Sequence, residues 1–153
     1  MKRILWALGT VLGLSAALAL GNPHPSLAVR GGYAGGAAFG LEASWNCLLF
    51  QPPLGALRPT LDLDYAGGGL DAAFSMRYLA SLPLLEGLRA GGGAGVGHAG
   101  GFYGFLRADA EFDLDVGTLP LPAFLGLDAG YAFNLEKDAF KGPFAALKLG
   151  LRF

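Results

Sequence analysis

Serine, histidine and cysteine are the side chains with which a small protein most readily does covalent chemistry, and here they are few and poorly placed for it. Acyl transfer by a hydroxyl needs a serine within hydrogen-bond reach of a histidine. The histidines are His24 and His98. Ser44 and Ser75 share the sequence parity of the charged residues around them, whereas His98 shares the parity of its apolar neighbours. In an extended strand those parities point to opposite faces. No serine–histidine pair is therefore expected, and His98 reads as a rim residue beside a turn. Cys47 lies at apolar parity near Trp45. A single cysteine excludes an internal disulfide and a cysteine-rich zinc site.

Asp62, Asp64 and Asp71 gather around Gly67-Gly68. A tight hairpin there sets Asp64 opposite Asp71, and like charges so placed repel. Hard carboxylate oxygens suit calcium or magnesium; the plainer reading is a set of solvated carboxylates at a rim, and no metal or cofactor is expected. The glycine-rich Gly91–Gly97 carries no lysine at phosphate-loop spacing and reads as a strand, where glycine permits close approach or bending.

These residues must be positioned by strands. The 153 residues suit one domain; 53% are hydrophobic and only 15% charged, against about 25% charged in a soluble domain. The formal net charge is −1, and no basic block marks a nucleic-acid partner. At the N-terminus, Lys2 and Arg3 precede an apolar stretch from Ile4 to Leu20, the pattern of a secretory signal. Small residues allow cleavage after Ala19, or as late as Ala28, so residues 1–19 are expected as signal peptide and residues 27–153 as the folded domain. A retained membrane helix is the alternative for this segment.

Beyond it the dominant period is two. Eight strands are expected at about Leu27–Ala34, Ala38–Leu49, Leu57–Ala66, Gly69–Leu79, Leu88–His98, Phe102–Val116, Ala123–Asn134 and Phe144–Phe153, separated by Gly and Pro clusters. This is an all-β chain, and eight strands on tight turns predict an antiparallel up-and-down barrel, whose closure removes the sheet edges. The charges then sort onto one face: Arg30, Glu42, Arg58, Asp62, Asp64, Asp71, Arg77, Arg89, Arg107, Asp109, Glu111, Asp113, Asp115, Asp128, Lys148 and Arg152. A one-residue slip would break this sorting.

Alternation alone does not say which face is inside. A lipocalin-like barrel keeps its apolar face within and its charges in water; a membrane barrel does the reverse. Four features favour the membrane form. The strands are of spanning length. The connections Pro52-Pro53-Leu54, Leu82-Pro83-Leu84-Leu85 and Leu119-Pro120-Leu121-Pro122 are apolar. Aromatics of the apolar face gather at two levels: Tyr33, Phe39, Tyr65, Phe102, Tyr131 and Phe133 towards one rim, Trp45, Tyr78, Phe112 and Phe153 towards the other, as expected of two interfacial girdles. The rest of that face is Leu, Ala and Gly rather than matched core residues.

The ending Leu147-Lys148-Leu149-Gly150-Leu151-Arg152-Phe153 resembles the C-terminal signature of bacterial outer-membrane β-barrels. With the leader and the period-two strands, the resemblance spans essentially the whole chain, at the level of small barrels in general. It implies a transmembrane barrel in the outer membrane, in contact with its lipid. It also implies that Leu147, Leu149, Leu151 and Phe153 form the signal read by the barrel-assembly machinery. The chain departs from that family in its short turns Gly35-Gly36, Gly67-Gly68 and Ala99–Gly101, and in the modest loop Glu136–Pro143, where longer surface loops are usual.

An eight-stranded barrel is filled by side chains, so inward charges need partners. Simple hairpin registers set Arg30 opposite Glu42 and Asp128 opposite Lys148, Arg89 near Glu111 or Asp113, and Arg58 and Arg89 opposite Arg77. The expected role is non-enzymatic: a structural, envelope-supporting barrel with a plugged charged interior or a narrow pore. Two other readings remain open at this point: a soluble barrel binding an apolar ligand, and a lipid-modifying outer-membrane enzyme. Oligomeric state leaves no mark in the sequence.

Overall fold

The computed structural model describes residues 25–47, 52–114, 122–137 and 139–153. Residues 1–24, which carry the expected signal peptide, Asp115 and most of the Gly117–Pro122 turn lie outside the described residues. Eight strands follow one another: β1 (Ser26–Ala34), β2 (Ala37–Ser44), β3 (Gly55–Ala66), β4 (Gly69–Ser81), β5 (Leu88–His98), β6 (Phe102–Leu114), β7 (Ala123–Asn134) and β8 (Gly142–Arg152). Each pairs antiparallel with the next, and β8 pairs back onto β1, closing the barrel. The second strand ends at Ser44, earlier than the expected Leu49, although Trp45 and Cys47 still donate backbone hydrogen bonds to Pro59 and Leu57.

The turns follow from local chemistry. Gly67 and Gly68 both hold positive φ, 59° and 84°, between the paired residues Ala66 and Gly69. A two-residue hairpin of this kind matches the strand twist and needs residues free of a Cβ penalty. The Gly35, Gly67 and Gly100 turns and the Leu135–Lys141 loop mark one end of the barrel, here the turn end. Pro25 and Phe153 mark the other, here the terminal end, where Phe153 N–H donates to Pro25 O at 2.8 Å.

Outside, the barrel is apolar. Val29, Leu41, Leu63, Leu106, Leu127, Leu147 and Leu149 are all exposed, and no charged residue of a described strand shares their face. Inside, Glu42, Arg58, Arg77, Arg107, Asp109, Glu111, Asp128 and Lys148 are buried. This is the inverse of a water-facing barrel, and the inverse of what a soluble carrier of an apolar ligand requires.

The interior also holds a feature that the charge pattern did not announce. Inward aromatic rings lie over inward glycines of neighbouring strands: Phe105 over Gly95, Tyr103 over Gly97, Phe144 over Gly130 and Phe124 over Gly150. Glycine removes the side chain that would compete for the lumen, and the ring restores the lost contact. A Cβ at Gly95 would collide with both Phe105 and the Phe74 carbonyl. Gly95→Val is expected to lower stability by about 1–3 kcal/mol through overpacking, read as a lower urea midpoint of the folded barrel. Gly31→Ala, where a new Cβ meets nothing within 4 Å, should leave that midpoint unchanged.

Candidate functional site

The charged lumen is the candidate site, and alternation along all eight strands is what delivers its side chains to one place. At its centre Arg107 reaches four carboxylates: Glu42 at 3.1 Å, Asp62 at 2.8 Å, Asp109 at 3.1 Å and Asp128 at 2.6 Å. Arg77 holds Glu42 at 2.7 Å and Asp109 at 2.8 Å, with Glu111 at 3.4 Å, and its Nε donates to Thr60 at 2.8 Å. Lys148 Nζ sits among Glu42, Asp109, Glu111 and Asp128 at 3.1–3.6 Å. These groups are all but closed to solvent, so each is tolerable only because its partners are present.

Towards the turn end, Arg30 bridges Asp62 at 2.7 Å, Asp128 at 3.3 Å and Asp64 at 3.5 Å. Towards the terminal end, Arg152 binds Glu111 at 2.7 Å and also Asp113, and lies over the Phe124 ring at 4.3 Å. Arg89 binds Asp113 at 2.9 Å in a more open setting. Two interior charges stand apart. Asp71 has no cation at ion-pair distance among the described residues; its partner is the Tyr103 hydroxyl, which donates at 2.6 Å. Arg58 is buried with no carboxylate at that distance among the described residues; it donates to Ser26 Oγ at 2.7 Å, which in turn bonds Ser44 Oγ at 2.7 Å.

Several expected neighbours are corrected by the register. Arg30 stands opposite Gly40, not Glu42, and Lys148 opposite Gly126, not Asp128. Arg77 faces Gly93 rather than Arg89. The stagger of each hairpin sets these pairs, and simple turn counting misplaced it by two residues for Arg30 and Lys148 and by four for Arg77. Arg58 does stand opposite Arg77, and Asp64 opposite Asp71. Arg89 is in register with Glu111 while its guanidinium turns to Asp113.

On the outer face, Tyr33, Phe39, Tyr65, Phe102, Tyr131 and Phe133 are exposed at the turn end. At the terminal end Phe112 and Phe153 are exposed, whereas Trp45 and Tyr78 are half-buried, and the Tyr78 hydroxyl donates to Pro53 O at 3.0 Å. Leu147 and Leu149 are exposed, and Leu151 is half-buried.

The residues that sequence reasoning missed are the inward rings. Tyr103 and Phe105 pack with Ala73 and Ala132 into an apolar plug at the turn end, joined by Phe144 and by Phe140 from the Leu135–Lys141 loop. Their signal was present: they carry the parity of Arg107, and glycines stand at facing positions. Among the described residues, no serine meets a histidine. Ser44 and Ser75 are buried inside, while His98 lies on the outer face with its ring edge-on to Phe102, 5.0 Å between centroids. The strand wall separates them. Among the described residues, no group of three or more His, Cys, Asp or Glu is arranged to hold a metal.

No family model matches the sequence, and no curated protein matches it. Among solved structures, the chain is similar to the N-terminal β-barrel domain of Pseudomonas aeruginosa OprF. The TM-score is 0.56 and the identity 16%, over 84% of this chain and 96% of that one. The likeness is one of fold: an eight-stranded, closed, antiparallel barrel.

Proposed function

We propose that this protein is a non-enzymatic outer-membrane β-barrel whose ion-paired interior makes it a structural, envelope-supporting element. The observation that carries the reading is the inversion of the barrel: an uncharged apolar band outside and a buried, mutually compensated charge network within. Apolar area left to water on this scale has no stabilising counterpart, whereas hydrocarbon satisfies it. The plugged interior is favoured over a conducting one because Arg77, Arg107 and Lys148 bridge strands across the middle of the lumen.

The same reading assigns Leu147, Leu149, Leu151 and Phe153 to the assembly signal. It also favours cleavage after Ala19. Ser26, Leu27 and Ala28 pair with both β2 and β8, so a cut after Ala28 would open the closing seam and strip Arg58 of its Ser26 acceptor.

The test is membrane fractionation combined with a gel run with and without boiling. The native chain is expected in the outer membrane, with a mobility shift on boiling. A variant lacking Phe153 is expected to be exported but poorly inserted. A chain that stays folded in the soluble fraction without detergent would overturn the proposal.

A further inference from the structure

The turn end of the lumen opens into a cavity of about 40 Å³, enough for a small polar group and above the roughly 10–15 Å³ that one water needs. Its lining combines the carboxylates of Asp64 and Asp71 with the rings of Tyr103, Phe105, Phe140 and Phe144. Arg30 and Arg107 also line it, each already held by carboxylates: Arg30 by Asp62, Asp64 and Asp128, Arg107 by Asp62 and Asp128 among others. Charge along the lumen is not evenly matched here. The carboxylates of the middle each meet a cation, but Asp71 meets none among the described residues, and it faces Asp64 directly across the β3–β4 ladder. Asp64 itself shares the single guanidinium of Arg30 with Asp62 and Asp128.

We propose that this vestibule binds a small organic cation, a primary alkylammonium of a free amine, with its head on Asp71 and Asp64 and its stem against Phe140 and Phe144. Three separate features agree on that chemistry. The space is open at the rim. An uncompensated carboxylate supplies the charge. Aromatic faces accept both the alkyl stem and the cation's field, which a strongly hydrated divalent ion does not exploit. Phe140 follows β7 in the connection to β8, lines the space and stands edge-on to Tyr103 at 5.9 Å. The site does not depend on which membrane, if any, surrounds the barrel.

The experiment is a titration of the folded full-length chain in detergent micelles with butylammonium chloride at constant ionic strength, followed by the NMR signals of the Tyr103 and Phe140 rings. Saturable shifts are expected. Asp71→Asn keeps the shape and an acceptor for Tyr103 but removes the charge, and should weaken binding by roughly tenfold or more. Phe140→Ala, on a loop and away from the ladder, should weaken it by about threefold. Glu86→Gln, in an exposed turn at the far end, should leave it unchanged. Shifts that grow linearly without saturation, equal binding by Asp71→Asn, or calcium binding in preference to butylammonium would each overturn the proposal. If Asp71→Asn does not fold, the Phe140→Ala titration decides alone, and no loss of affinity there counts against it.

Discussion

Replacing Arg107 by methionine is expected to cost the folded barrel about 3–5 kcal/mol. The side chain is 1% exposed and reaches Glu42, Asp62, Asp109 and Asp128. Methionine fills much of the same volume but leaves four carboxylates to Arg30, Arg77 and Lys148. Water cannot come to their aid without opening the lumen. Removing one member of a buried network is therefore far more damaging than the net worth of any one pair suggests. The measurement is urea unfolding of the refolded barrel in lipid vesicles, read by the heat-dependent gel shift. Arg89→Met is the comparison: that side chain is 32% exposed and meets only Asp113, and its loss should cost no more than about 1 kcal/mol. Equal, small losses at both positions would mean that the lumen is hydrated and the network contributes little.

The second large effect is expected on the opposite face. Leu147 is 62% exposed, near the middle of β8, beside Gly31 and Leu127 of the adjoining strands. In a hydrocarbon layer Leu147→Arg should cost about 2–4 kcal/mol and reduce the inserted fraction accordingly. Leu84→Arg changes an even more exposed leucine, 95% exposed, in the β4–β5 turn, and should be tolerated. The two substitutions separate solvents rather than folds. In water both would be close to neutral, since adding charge to an exposed apolar site costs nothing there. An insertion defect shared by Leu147→Arg and by Leu127→Arg, its exposed neighbour on β7 outside the assembly signal, but absent from Leu84→Arg would show that lipid meets the middle of the barrel and water its end.

The sequence by itself determined the parity of the described strands, the places of the Gly35, Gly67 and Gly100 turns and the separation of charges from the apolar residues. It could do so because a strand's side-chain period is two and local: Asp109, Glu111 and Asp113 share a face whatever surrounds them. It also placed His98 across the wall from Ser44 and Ser75. Closure and the choice of partners were decided only by the tertiary structure. Lys148 meets Glu42 across 106 residues of sequence, and Arg30 meets Asp128 across 98. Such pairs span the lumen, and their meeting depends on the stagger summed over several hairpins, which no single turn encodes. The aromatic plug escaped for a related reason. Phe105 and Phe144 carry the parity of the charges, and only the inward glycines of the adjacent strands, brought alongside by register, leave room for their rings.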